Sequence, residues 1–228
     1  MSYRIWVATT ALLLAALPLR AADNPYSVKV MDKSEAPMEV KEPIRKLLGD
    51  RSVQLLDAKG GVLAEVWFCK TINAKATDNQ IKNGLTYREI PESTVFGAIK
   101  FPKQFTDYRK QKIPAGVYTL RLGFQLMDGD HMGTAPTSEF CLLAPAADDK
   151  KPDVMEAKAL HELSAKTTNA HPGVLLLFPG GKEATETPKL VNKGDGHWMV
   201  EMKQDVTVGD KKTTINLGLT LIGFSAQA

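Results

Sequence analysis

From Gly116 to Leu126 the chain reads Gly-Val-Tyr-Thr-Leu-Arg-Leu-Gly-Phe-Gln-Leu. Tyr118, Leu120, Leu122, Phe124 and Leu126 share one parity, while Thr119, Arg121 and Gln125 share the other. Alternation at period two puts these two sets on opposite faces of a strand. Wound as a helix, the five apolar residues would spread around the whole circumference and leave no stripe to bury. Pro114-Ala115-Gly116 supplies the turn that starts the strand. The stretch is therefore expected to be a core strand of an antiparallel sheet, with Thr119, Arg121 and Gln125 facing water.

The flanking pattern extends that sheet. Ser52–Leu56, the turn Asp57-Ala58-Lys59-Gly60-Gly61 and Val62–Cys69 form a hairpin pattern. Its second arm is apolar on both parities, which predicts a central strand covered on both faces, with Glu65 at an end or facing a partner. Tyr26–Met31 predicts an edge strand, Val95–Phe101 another strand, and Ser138–Ala144 the hairpin partner of the organising strand. Gly173–Phe178 predicts a short buried strand stopped by Pro179-Gly180-Gly181. In the last strong hairpin Trp198, Val200, Met202, Val206 and Val208 share one parity, with His197, Met199, Glu201 and Lys203 on the other. Ile215, Leu217, Leu219 and Leu221 alternate in the return arm. One helix is predicted over 153–166, begun by Pro152, Asp153 and Glu156 and striped by Val154, Ala157, Leu160 and Leu163. Asp32–Pro43 reads as a connection and Asn73–Asn83 as an exposed loop. The expected fold is all-β or β-rich: an antiparallel β-sandwich with one helical insertion, ahead of an open α+β sheet.

The first residues carry a different message. Arg4, the apolar run Ile5–Leu17 and Leu19-Arg20-Ala21 match a secretory signal peptide over 1–21, followed by a single domain over 22–228. The run is shorter than the roughly 20 residues of a bilayer span, and no cysteine follows it for lipid attachment. A soluble periplasmic or secreted protein is expected, with no transmembrane span in the mature chain. Loss of Arg4 and Arg20 leaves 27 Lys and Arg against 26 Asp and Glu. That balance argues against nucleic acid as a partner, which would call for a clustered basic patch. Cys69 and Cys141, each within a predicted strand, form either a disulfide in an oxidising compartment or two buried thiols.

Motifs for catalysis are missing from the sequence: it contains no G-x-S-x-G, P-loop, H-E-x-x-H or dinucleotide fingerprint. The most chemical stretch is the loop holding Asp128, Asp130, His131 and Met132, which offers carboxylates, an imidazole and a thioether. It lacks the EF-hand pattern, and Asp128-Gly129 also favours a tight turn for backbone reasons. His197 and Met199, two apart on one strand, would complete with His131 and Met132 the mixed nitrogen and sulfur set that copper takes. No cofactor is otherwise evident.

Several phrases occur together: Phe105-Thr-Asp-Tyr-Arg109, Ile113–Arg121, Asp128–Pro136, Phe140–Asp149 and His171–Leu175. In this order, over about Val95–Leu176, they resemble a family of uncharacterised exported bacterial proteins. The resemblance implies export and a single domain, and it carries over no catalytic or ligand residue. The Pro-Ala-Gly-x-Tyr-x-Leu phrase is also similar to strands of transthyretin-like sandwiches, which bears on architecture alone. A non-enzymatic module binding a protein or small molecule in the cell envelope is the leading expectation. A periplasmic metal-binding protein using copper or another divalent ion is second, and a hydrolase with a dispersed site third.

Overall fold

The computed structural model describes residues 24–125 and 135–225. The predicted alternation is realised as β8, Gly116–Phe124, and the chain is all-β in class. Upstream lie β1 (Tyr26–Met31), β2 (Ser52–Asp57), β3 (Val62–Phe68), β4 (Ile72–Asn73), β5 (Val95–Phe101), β6 (Phe105–Thr106) and β7 (Lys112–Ile113). Downstream lie β9 (Glu139–Pro145), β10 (Gly173–Pro179), β11 (Lys189–Gly194), β12 (His197–Val208) and β13 (Lys211–Ile222). One antiparallel-dominated sheet runs in the order β1-β2-β3-β5-β8-β9-β10-β13-β12-β11, with β4 pairing β12 in parallel, and β6 with β7 makes a separate ribbon.

The sandwich geometry comes from bending this single sheet over itself. Val53, Ala64, Leu120, Leu143, Leu175, Val200 and Leu217, drawn from both halves, belong to one apolar cluster. The sheet's ends approach each other: β1 meets β11, and the Tyr26 ring stands edge-on to Trp198 with centroids 5.7 Å apart. Val206 and Thr207 pair with Ile72 and Asn73 further along. Between these two contacts the seam stays open.

Three local expectations are corrected. The helix α3 spans Ala157–Ala165, starting later than expected, because the main chain of Lys151 and Asp153 is held by Arg121 instead. Val154, assigned to the buried stripe, is exposed, whereas Leu160 is fully buried. The polar stretch Asn73–Asn83 contains the helix α2 (Asp78–Asn83), started by a capping box between Thr77 and Gln80. A short helix, α1 (Glu42–Arg45), begins where the connection Asp32–Pro43 ends. Among the described residues no helix is long and apolar enough to cross a membrane.

The largest correction concerns the outer face of β8. Thr119 and Arg121 are fully buried. Residues 145–156 and α3 lie over that face, and Leu160 packs there with Leu142, Val174, Leu176 and Tyr108 in a second apolar cluster.

Candidate functional site

The seam holds the candidate site. Its first bank is made by Val30 of β1, the Gly49–Arg51 turn, Val53, Phe68, Cys69 and Lys70. The second is made by Glu186, Pro188 and the Met202–Asp205 stretch of β12. Together they enclose a cleft of about 320 Å³, near the lower end of small-ligand sites. Strand alternation explains its lining: Lys203 and Asp205 point outward from β12, while Met202 and Gln204 turn inward. Val53, Phe68 and Cys69 supply a buried apolar floor, and Asp50, Arg51, Lys70, Glu186, Lys203 and Asp205 remain exposed at the rim. Among the described residues no ion pair joins these six.

Gln204 ties the banks together. Its Nε2 donates to the Cys69 carbonyl at 2.9 Å and to the Asp205 carbonyl at 3.2 Å. Both neighbours are acceptors, so the amide must turn its nitrogen toward them. Its Oε1 is buried without a donor. Leaving such an oxygen unmet costs about 1–3 kcal/mol. Two further buried atoms among the described residues, His197 Nε2 and Thr220 Oγ1, are also unpartnered.

The residues expected to carry function fall elsewhere. Asp128, Asp130, His131 and Met132 lie outside the described residues. His197 sits on β12 between the rings of Tyr108 and Phe178, with centroids 6.0 and 6.2 Å away. Met199 shares its parity but is buried, with its thioether against Gly218, where a β-carbon would come within 2.7 Å of Sδ. Among the described residues no group of three His, Cys, Asp or Glu side chains is placed to hold a metal. Cys69 and Cys141 are buried free thiols, so of the two readings the structure takes the second. The Cys69 thiol donates to the Val95 carbonyl at 3.3 Å. Burial pushes it up to about 12 and pushes Cys141 up as well, so neither is a thiolate nucleophile.

Two buried polar networks join four of the five phrases singled out in the sequence. Arg121 spends all five N–H donors. Nε and Nη2 clasp Asp149 at 2.7 and 2.8 Å, Nη1 reaches the carbonyls of Ser93 and Asp153, and Nη2 also reaches Lys151. The Thr119 hydroxyl donates to the same carboxylate at 2.5 Å. Asp107 accepts from the N–H groups of Arg109, Gln111 and Val174 and from Gln111 Nε2. Burial pushes its carboxyl up while those four donors pull it back. Thus Asp149 of Phe140–Asp149 meets Arg121 of Ile113–Arg121, and Asp107 of Phe105–Arg109 meets Val174 of His171–Leu175. These phrases are joints between segments, closed to a substrate by burial.

Comparison with family models, with curated proteins and with solved structures finds no match. Sequence reasoning missed Gln204, although its signal is present: it is the one polar residue on the inward parity between Met202 and Val206. Asp50, Arg51 and Glu186 carry no local signal, because only closure of the seam brings them to one opening.

Proposed function

We propose that this chain is an exported, non-catalytic β-module that holds a small polar molecule in the cleft at the seam of its sheet. The observation that carries the reading is the cleft itself, with an apolar floor and a rim of six charges that form no ion pair among the described residues. Gly49 provides the test. Its backbone is unstrained, and a β-carbon there comes no closer than 3.5 Å to another atom, so Gly49→Phe fills the cleft without distorting the turn. A panel of amino acids, short peptides, sugars and phosphates is screened by thermal shift. A ligand at a hundred times its Kd adds about 2.7 kcal/mol, or roughly 5–10 °C for a domain of this size. The shift is expected for the native protein and absent in Gly49→Phe. If no compound separates the two proteins, the reading fails.

A second reading, metal binding, is favoured by the unpartnered Nε2 of His197. Elemental analysis after native purification would return copper or another divalent ion at about one per chain, lost in His197→Ala.

A further inference from the structure

Resting on the cleft reading, we infer that the ligand is a small zwitterion with an apolar body, of the chemical class of an amino acid or dipeptide. Each bank of the seam carries both signs of charge, Asp50 and Arg51 on one side and Glu186 and Lys203 on the other. A simple anion or cation at this opening meets as much repulsion as attraction. A molecule with an ammonium at one end and a carboxylate at the other aligns with both, and each contact is charge-assisted. The floor of Val53 and Phe68 takes an apolar side chain. Size agrees: about 320 Å³ is the volume of about ten waters at ~30 Å³ each, the scale of a dipeptide. A phosphate or a sugar satisfies fewer of these features, since the first has one sign of charge and the second has none.

The experiment is isothermal titration calorimetry of the full chain with alanyl-leucine, N-acetyl-alanyl-leucine and alanyl-leucinamide. Free alanyl-leucine is expected to bind one per chain, with either capped form at least tenfold weaker. Arg51→Ala, at an exposed position, is expected to weaken the free dipeptide at least threefold and leave the leucinamide unchanged. Gly49→Phe, checked for an unaltered circular dichroism spectrum, is expected to bind none of them. Capped and free forms binding equally, with all binding lost in Gly49→Phe, would overturn the zwitterion while leaving the cleft a binding site. Absence of heat with all three peptides overturns the zwitterion, and the thermal-shift panel then decides the cleft separately. Binding that survives in Gly49→Phe places the peptide elsewhere and overturns the inference.

Discussion

On the inner face of β8, Tyr118, Leu120 and Leu122 join the main apolar cluster. On the outer face, Thr119 and Arg121 are just as deeply buried, yet they meet a carboxylate and three main-chain carbonyls. The inner face is dry because apolar area is removed from water, a non-directional gain that tolerates some repacking. Around Arg121 the outer face is dry because one guanidinium has all its donors met, a directional arrangement with no spare partner, beside the apolar cluster of Leu160 and Leu142. Burial by itself therefore says little about what a substitution does; the means of burial decides.

The comparison is broken most directly at Arg121. Arg121→Met leaves Asp149 buried and unpaired, and should cost about 3–5 kcal/mol in urea melts. Adding Asp149→Leu should recover most of that loss, because an apolar pair of similar volume often replaces a buried ion pair at little cost. If the double variant is no better than the single, the network is holding the 145–156 strap through its main-chain contacts. Leu120→Ala should cost about 2–5 kcal/mol, with no single partner able to rescue it. A smaller effect sharpens the contrast: Thr119→Val keeps the shape but removes the donor to Asp149, for about 1–2 kcal/mol in the same melts. Were Thr119→Val neutral, the outer face would be sealed by packing after all.

The least effect is expected at Glu201, a buried carboxylate on the outer parity of β12. Burial, the largest single influence, favours its neutral form, but the Gly181 N–H and the Lys189 ammonium together hold it below its ordinary value of 4.5. A depressed folded-state pKa gives stability that is fully present above 4.5 and lost as pH falls below that value through the lower folded-state pKa. Glu201→Gln should therefore be less stable than the native protein at pH 7, by about 1 kcal/mol or less. The gap should close as the melts are repeated toward pH 4.

Much of the sheet could be read in advance, because alternation is local. β3, β8, β12 and β13 fall where Val62–Cys69, Gly116–Leu126 and the last hairpin predicted them. The outer face of β8 could not be read, because polar residues such as Thr119 and Arg121 carry the same local pattern whether solvent or a buried partner meets them. Their partner Asp149 is 28 residues from Arg121, and nothing near Arg121 announces it. α2 was missed although Thr77-x-x-Gln80 was visible, because its polar composition leaves no apolar stripe. The candidate site was the least legible part. Gln204 broke a pattern that could be counted, but the cleft exists only because residues near 30, 50, 70, 186 and 204 converge.

That convergence couples the cleft to the order in which the chain is made. Tyr26 waits for Trp198, about 170 residues later, which at about 5–20 residues per second is roughly ten to thirty seconds of synthesis. Until β12 emerges, the Tyr26 ring lacks its partner and half of the cleft wall is missing. A chain cut between β10 and β12 can pair β8 with β5 and β9, but it leaves β10 without β13 and has no seam. Occupancy of the cleft would then mark finished molecules, and chains interrupted late would be those most inclined to pair edge to edge.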